Sequence, residues 1–366
     1  MEKKSIIAGI SQGDINGIGY EVIIKALSDP TINDICAPIV YGSPKVAAYH
    51  RKALNVNNFS FNNIRTADEA HAKKANMINC LDDNIRVELG KSTPQGGEAA
   101  IISLEKAVED LIGGKIDVLI TAPIDKQNVQ SDHFHFKGHT DYLKSVAGAT
   151  EVLMFMIGES MRIGIATDHV PLHKVPGLIT VDTLLRKIRL MNESLLYDFG
   201  IRKPRIAVLG LNPHAGDNSL LGTEEVEIIT PAITQAQKEG IMTFGPFPAD
   251  GFFGAGSFSK FDGILAMYHD QGLTPFKALS FDSGVNFTAG LPFIRTSPVH
   301  GTAFAIAGKG EASENSFRQA IYLACDIYRN RKLYTEISSN PLKHQDIEIH
   351  SDRIDELPPD IFNPEQ

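Results

Sequence analysis

The sequence predicts an α/β protein whose parallel strands are joined by crossover helices. Short apolar runs alternate with amphipathic helical patterns along most of the chain, as they do in parallel sheets. Glycine and proline separate these segments: Gly113 and Gly114 follow one helical pattern, and Pro123 ends the apolar run after it. No apolar run reaches the roughly 18 residues that a transmembrane helix needs.

The amino-terminal part begins with an apolar run over residues 5–10, which leads through GDINGIGYE (residues 13–21) into a helix. A second strand and helix follow at 39–42 and 45–54, and the Asn-rich residues 55–63 are predicted as a loop. The next helix buries one face, because its apolar residues recur every three or four positions: Ile101, Leu104, Val108 and Leu111.

The remaining elements continue this pattern. Residues 151–157 and 162–167 are two strands separated by a turn, which predicts a hairpin. A later helix is expected to begin at Thr223 as its N-cap, with Glu225 in the first turn. Residues 244–250 contain two prolines and are predicted as a loop. Further strands are predicted at 117–122, 206–211 and 263–268, and further helices around 184–195 and from 313.

The composition is that of a soluble globular protein with room for two domains. The 366 residues are 43% hydrophobic and 22% charged, and the formal net charge of −9 disfavours a nucleic-acid surface. Cys36, Cys80 and Cys325 lie far apart and form no C-x-x-C motif, which predicts free thiols. Because the amino terminus has no signal-peptide pattern, a cytoplasmic location is expected.

Three histidines, His169, His214 and His269, each follow the end of a predicted strand. The carboxyl ends of parallel strands meet at one edge of a sheet, where α/β proteins hold their ligands, so the three side chains are expected to converge. Imidazole is a common ligand of zinc and similar ions, and three protein ligands with one open position are typical of a catalytic site. Hydrogen-bonded loop histidines are the alternative.

Other polar residues stand in positions suited to anion binding. Arg295 lies in the apolar segment LPFIRTSP, where its guanidinium needs either a protein carboxylate or an anionic ligand. Lys277 could meet an anion, transfer a proton or simply be solvated. His139 and Thr140 stand at a predicted helix N-terminus, which is either an anion site or a plain cap.

The glycine-rich segment HGTAFAIAGKG, residues 300–310, either lets a flat ligand approach the backbone or forms a tight loop. No G-x-G-x-x-G, P-loop or G-x-S-x-G motif is found in the chain. The common dinucleotide, nucleotide and hydrolase motifs therefore do not assign a function.

Seven motifs together form one family pattern: GD-x-x-GIG-x-E, K-GHT-x-x-L, AT-x-H-x-PL, LNPHAG, PADGF, YHDQGL-x-PFK and HGTAFAIAGKG. With them the chain resembles the 4-hydroxythreonine-4-phosphate dehydrogenases of vitamin B6 biosynthesis, the PdxA family, from about residue 5 to about residue 333. Ile15 and Tyr20 stand where that family usually has proline, and Asp141 and Asp217 stand where it often has glutamate.

The resemblance implies the fold of the isocitrate and isopropylmalate dehydrogenases, with two α/β/α lobes, a cleft between them and an obligate homodimer. The first lobe would comprise residues 1–135 and 286–340, and the second, which carries the metal site and the dimer interface, residues 136–285. Residues 341–366 are polar and acidic and are expected to form a C-terminal tail. Neither a nucleic acid nor a membrane is expected as a partner.

The resemblance also implies roles for individual residues. Three match the ligands of a divalent metal (zinc, magnesium or cobalt) that the two subunits share: His169, His214 and His269. Five match residues that hold the phosphorylated substrate: His139, Thr140, Lys277, Asn286 and Arg295. Three are candidates for proton transfer: Lys277, Asp250 and Asp270. Four belong to a loop that is expected to bind NAD, with NADP as the alternative: His300, Gly301, Gly308 and Gly310.

The activity that the resemblance implies is the NAD- and metal-dependent oxidation of 4-phosphooxy-L-threonine. Decarboxylation follows and gives 3-amino-2-oxopropyl phosphate, a precursor in pyridoxal 5′-phosphate biosynthesis. One alternative keeps this chemistry and uses D-threonate or D-erythronate 4-phosphate as the substrate. An alternative from another class is a metal-dependent phosphatase or other hydrolase, which the same histidines and anion site would fit.

Overall fold

The computed structural model describes residues 5–82 and 84–340 as a layered α/β protein built on one sheet. Its twelve strands are, in chain order, β1 (Ile6–Ser11), β2 (Cys36–Gly42), β3 (Asn62–Ile64), β4 (Asn76–Asn79), β5 (Val118–Thr121), β6 (Leu153–Ile157), β7 (Arg162–Thr167), β8 (Arg205–Leu209), β9 (Met242–Phe247), β10 (Gly263–Tyr268), β11 (Val285–Ala289) and β12 (Arg295–Pro298). The predicted C-terminal tail, 341–366, lies outside the described residues.

Eleven α-helices cover this sheet within the described residues. They are α1 (Gly19–Leu27), α2 (Ile32–Ile35), α3 (Pro44–Ala53), α4 (Pro94–Ile112), α5 (His139–Val146), α6 (Val175–Leu178), α7 (Val181–Tyr197), α8 (Thr230–Lys238), α9 (Ala249–Gly254), α10 (His269–Ser280) and α11 (Asn315–Ser338). A π-helical turn, Glu225–Ile229, precedes α8. No helix in this part of the chain combines the length and the apolar character that crossing a membrane requires.

The sheet runs in the order β3-β4-β2-β1-β5-β12-β11-β6-β7-β10-β8-β9. Both outer parts are parallel, and their strands are connected through helices. Strand β11 runs antiparallel to β12 and to β6, and β6 runs antiparallel to β7 as the predicted hairpin. The predicted α/β class is therefore confirmed, and the division into lobes at residues 135 and 286 stays a prediction.

The parallel strands are buried on both faces, as expected for strands that lie between two helix layers. Every residue of β2 and β5 is buried, and the strand-covering faces of α4 and α7 are buried as the three- and four-residue spacing predicts. At the carboxyl edge of the second parallel part, the strand order β7-β10-β8-β9 places four chain segments side by side. This edge carries the histidines that the sequence singled out.

Candidate active site

A cavity of about 800 Å³ opens where the two parts of the sheet meet, next to β5, β6, β11 and β12. It brings together many of the residues that the sequence and the family resemblance selected: His139, Thr140, His169, His269, Lys277, Asn286, Arg295, His300 and Gly301. Five other predicted residues do not line it: His214, Asp250, Asp270, Gly308 and Gly310. The five residues predicted to hold the substrate thus line one cavity, and those predicted to bind the metal and the cofactor do so only in part.

Arg295 is a buried cation without a carboxylate partner among the described residues. Its side chain is 3% exposed, and its guanidinium donates hydrogen bonds only to hydroxyl groups, to Thr121 Oγ1 at 2.7 and 3.1 Å and to Thr288 Oγ1 at 3.2 Å. Burial lowers the pKa of Arg295 to about 9, which is the signature of a charge removed from water without compensation. An anion bound in the cavity would supply the missing partner.

Three buried polar atoms around the same cavity have no hydrogen-bond partner in the described chain. They are His139 Nε2, Asn286 Oδ1 and His300 Nε2. Buried polar groups are normally paired, so three such atoms around one cavity indicate a polar ligand and not an apolar one. Asn286 lies on β11 and the histidines lie on separate segments, so the ligand would be contacted from several directions.

Burial favours the neutral form of two imidazoles of the cavity, His139 and His169. Burial, with Arg295 and Lys126 nearby, places the pKa of His139 well below its usual value. Burial also lowers the pKa of His169, helped by Lys126 and opposed by Asp168. A neutral imidazole keeps one nitrogen lone pair for a hydrogen bond or a metal ion.

Positive charge surrounds the cavity beyond the residues that the sequence identified. Helix α5 directs its amino terminus, at His139, toward the cavity, where the unpaired N–H groups of a helix start favour anions. The further lining cations are Lys126, Lys137, Lys144 and Lys187. Lys187 is neutralised by Glu151 at 2.8 Å, and the other three were missed because single lysines in loops have no distinctive spacing.

His169 and His269 lie side by side at the ends of β7 and β10. Their ring centroids are 5.6 Å apart, and His269 Nδ1 lies 2.7 Å from Asp270 Oδ1. A carboxylate at Nδ1 fixes the tautomer and leaves Nε2 free as a ligand atom. A second, smaller cavity of about 310 Å³ is also lined by these two histidines, together with Asp270 and Leu172. The histidine pair therefore lines both cavities.

His214 does not join this pair within one chain, although β8 is the neighbour of β10. Its side chain is exposed, and the described residues contain no cluster of three metal-ligating side chains. The chain bends sharply here, because His214 and Ala215 both have positive φ angles, 54° and 51°. The turn packs against α9, which carries the exposed Asp250. Within one chain, His169 and His269 thus lie together at this edge of the sheet, whereas His214 lies in a turn next to α9.

A buried glutamate, Glu225, which was predicted in the first turn of a helix, fixes the turn at His214. Glu225 Oε1 accepts hydrogen bonds from the backbone N–H groups of Leu211 and Asn212, both at 2.7 Å. The helix does begin directly after Thr223, as predicted, but no hydrogen bond from a backbone N–H to the Thr223 hydroxyl is found in the described part of the chain, and Glu225 points inward with 2% exposure. A π-helical turn inside a helix, as found here, often marks a functional segment.

Comparisons with known proteins identify the family. A family model described as pyridoxal phosphate biosynthetic protein PdxA matches residues 34–324. The chain belongs to the PdxA family. A 4-hydroxythreonine-4-phosphate dehydrogenase of Bacteroides thetaiotaomicron is 53% identical over 354 residues, which are 96% of this chain and 97% of that protein. The predicted family and the predicted enzyme class, an oxidoreductase, are confirmed.

Two further PdxA relatives bear on the substrate and on the fold. A crystal structure of 4-hydroxythreonine-4-phosphate dehydrogenase from Klebsiella pneumoniae matches with a TM-score of 0.77 at 32% identity, and covers 90% of this chain and 99% of its own. A protein of Oceanobacillus iheyensis, provisionally named D-threonate 4-phosphate dehydrogenase, is 40% identical over 331 residues, with 89% of this chain and 99% of that protein covered. The match therefore extends over nearly the full length of both relatives.

Two of the four positions where this chain departs from the usual PdxA motif lie in the core. Ile15 and Tyr20 are both fully buried, and neither lines the cavity. The Tyr20 hydroxyl donates to Gln12 Oε1 at 2.5 Å, and its ring stacks on His50, whose Nε2 lies 2.7 Å from the Ile15 carbonyl oxygen. Ile15 and Tyr20 are thus linked through His50 and lie outside the cavity, whereas Asp141, a third departure, lines it.

Proposed function

We propose that this PdxA chain oxidises 4-phosphooxy-L-threonine with NAD and thereby serves pyridoxal 5′-phosphate biosynthesis. The observation that carries the proposal is Arg295, a buried cation beside a polar cavity with only hydroxyl groups as partners. The names of the relatives support the same substrate, since the Bacteroides protein is a 4-hydroxythreonine-4-phosphate dehydrogenase.

The anionic groups of this substrate match the charge around the cavity. Arg295 can bind a carboxylate or phosphate with two parallel hydrogen bonds. The start of α5 and the nearby Lys126 and Lys137 offer N–H donors and charge for a second anionic group. Asn286 Oδ1 and the neutral His139 would then find partners among the substrate hydroxyl, amino or phosphate groups.

The donor set of the histidine pair fits a divalent cation, with His169 and His269 as two of its ligands. A catalytic zinc site typically has three protein ligands, so we propose His214 of a second copy as the third. Exposed apolar side chains beside both halves of the site support such a homodimer: Leu172 is 68% exposed, Leu220 is 78% exposed and Val226 is 58% exposed. When bound, the cation polarises the reacting oxygen and NAD accepts the hydride.

The chain itself would hold the substrate and move the proton. Oxidation removes a hydride from C3 and a proton from its hydroxyl group, and the resulting β-keto acid loses CO₂ to give 3-amino-2-oxopropyl phosphate. Lys277 on α10 projects into the cavity and is our candidate to accept the hydroxyl proton. Asp250, which lies beside the His214 turn, would reach the site only from the second copy.

A second candidate substrate is D-threonate 4-phosphate, which carries a hydroxyl group where the amino substrate carries an ammonium group. The name of the Oceanobacillus relative favours it. Acidic side chains in the cavity favour the amino substrate instead, because Asp141 and Asp168 line it and could attract an ammonium group. We therefore place 4-phosphooxy-L-threonine first.

The test is NADH formation by metal-stripped and metal-restored protein, followed at 340 nm. The substrates are 4-phosphooxy-L-threonine, D-threonate 4-phosphate and D-erythronate 4-phosphate, each also offered with NADP. We expect metal-dependent turnover with NAD that is strongest on the amino substrate. Turnover mainly on a sugar-acid phosphate would keep the chemistry and replace the substrate. Phosphate release without NADH would contradict the proposal and support the hydrolase.

A further inference from the structure

The amino-terminal motif GDINGIGYE, residues 13–21, contributes no side chain to the substrate cavity. It does contact the glycine-rich segment 300–310 from the far end of the chain. The backbone N–H of Ile18 donates to the Thr302 carbonyl oxygen at 3.0 Å, at the beginning of that segment. The motif therefore serves as a support for the glycine-rich segment.

A lysine in helix α1, which begins within this motif, contacts the other end of the segment. Lys25 lies in α1, and its Nζ donates to the Gly310 carbonyl oxygen at 2.8 Å and to the Ala312 carbonyl oxygen at 2.6 Å. Hydrogen bonds from an ammonium group are about twice as strong as neutral ones. Ile18, the residue before α1, and Lys25 in α1 thus hold the two ends of the segment.

Glu21 fixes the position of this lysine. Its side chain is 0% exposed, and its Oε1 accepts hydrogen bonds from Lys25 Nζ at 2.9 Å and from the Ala312 backbone N–H at 2.8 Å. A buried carboxylate is costly unless it is paired, and here Lys25 is its cationic partner. Glu21, Lys25 and Ala312 therefore form one hydrogen-bonded group, which needs both the carboxylate and the ammonium group.

We propose that Glu21 and Lys25 are positioning residues that preorganise the segment 300–310 for the nicotinamide cofactor. The inference rests on the proposed function, in which this segment binds NAD. The ties from Ile18 and Lys25 engage carbonyl oxygens, and the backbone N–H groups of Gly308 and Gly310 have no acceptor in the described chain. Free N–H groups on a fixed backbone suit the diphosphate of a dinucleotide, and fixing the backbone beforehand lowers the entropy lost on binding.

The test compares Lys25→Met with the charge-neutral double variant Glu21→Gln/Lys25→Met. The single variant leaves a buried carboxylate unpaired, whereas in the double variant the glutamine oxygen still accepts from Ala312. Both lose the bonds to Gly310 and Ala312, so both should raise the KM for NAD about tenfold or more, the usual result of losing a charge-assisted hydrogen bond. The KM for the phosphorylated substrate should stay within about twofold, since Arg295 and α5 are untouched.

Two controls and one measurement without turnover complete the design. Lys25→Arg can reach the same carbonyl oxygens and should restore the NAD affinity. Lys52→Met, which removes an exposed lysine from the neighbouring helix α3, should change neither KM. Hydrogen exchange of the backbone amides in residues 300–312 should become faster in both test variants and stay unchanged in the Lys52 control. Titration with NADH, followed by fluorescence, gives the cofactor affinity without substrate.

The outcomes separate this inference from the proposed function. A wild-type protein that neither binds NADH nor reduces NAD overturns the proposed function and this inference with it. A wild type that does both, with test variants whose NAD affinity and amide exchange are unchanged, overturns this inference alone. A parallel rise of both KM values would also overturn it, because that result indicates general loss of structure and not a role in cofactor binding.

Discussion

The carboxylate of Glu225 accepts hydrogen bonds from both the backbone N–H and the side-chain amide of Asn212, at 2.7 and 3.0 Å. Asn212 stands two residues before His214, and the residues between β8 and the π-helical turn include several non-glycine residues with positive φ. Such backbone costs about 1–3 kcal/mol for each residue and persists only where the surroundings hold it. Glu225 is the group that holds this turn.

Glu225→Ala should weaken metal binding about 10- to 100-fold, as expected when a group that orients a ligand is removed. It should also lower the free energy of unfolding by about 1–3 kcal/mol, since buried N–H donors lose their acceptor. Competition with a chelator measures the first effect and thermal unfolding the second. Glu225→Gln retains an acceptor oxygen and should be milder, and Glu227→Ala, at an exposed position of the same turn, should change neither quantity.

Mixing two inactive variants tests whether the metal site is shared between subunits. His169→Ala and His214→Ala should each abolish metal-dependent turnover. After the two are unfolded and refolded together, random pairing should restore about one quarter of the wild-type activity, because each mixed dimer then contains one intact site. If the three histidines acted within one chain, the mixture would stay inactive.

Arg295→Met should raise the KM for the phosphorylated substrate about 100-fold or more, since a desolvated bidentate anion contact is lost. The same variant should be at least as stable as the wild type, because an uncompensated buried charge disappears. Inorganic phosphate at 100 times its Kd should stabilise the wild type by about 2.7 kcal/mol and the variant by much less. Thermal unfolding with and without phosphate measures this, and Arg202→Met, at an exposed position, is the matched control. An equal phosphate effect in both variants would contradict the anion site.

Stability at acid pH should depend on His50. Burial lowers the pKa of His50 to about 4 from 6.5, so between these values the unfolded chain binds a proton that the folded chain does not. The free energy of unfolding should therefore fall with decreasing pH across this window, by about 3 kcal/mol from this residue. Denaturant unfolding at several pH values measures the slope. His50→Gln should reduce it, and substitution of the exposed His135 by Gln should not.

The sequence predicted most of the interior strands, because fully buried strands are continuous apolar runs with glycine or proline at their ends. Strands β3 and β9 were missed and assigned to loops. Both lie at the edges of the sheet, where an Asn-rich segment or a strand with Pro246 is tolerated since one side needs no ladder hydrogen bonds. Strands β4, β11 and β12 were not predicted either, although they lie inside the sheet, because they are segments of four or five residues in which polar residues or proline interrupt the apolar pattern.

The candidate active site was predicted from the sequence less completely than the fold. The three histidines were predicted at one sheet edge, and three neighbouring strands do place them there. Thr121 and Glu225 were not singled out as supporting residues. Thr121 contacts Arg295, which lies 174 positions away in the sequence, and Glu225 contacts Asn212, which lies 13 positions away. Such contacts leave no local pattern, so only the three-dimensional arrangement identifies them.

The sheet also determines when the protein can complete its structure during synthesis. Strand β5 pairs with β12 through Leu119 and Arg295, and β6 pairs with β11 through Leu153 and Ala289. Nearly 300 residues must therefore be synthesised before either pairing can form. Until then, one edge of β5 and one edge of β6 stay unpaired. Nascent chains of this protein should consequently depend on chaperones more than chains of the same length whose neighbouring strands are also neighbours in sequence.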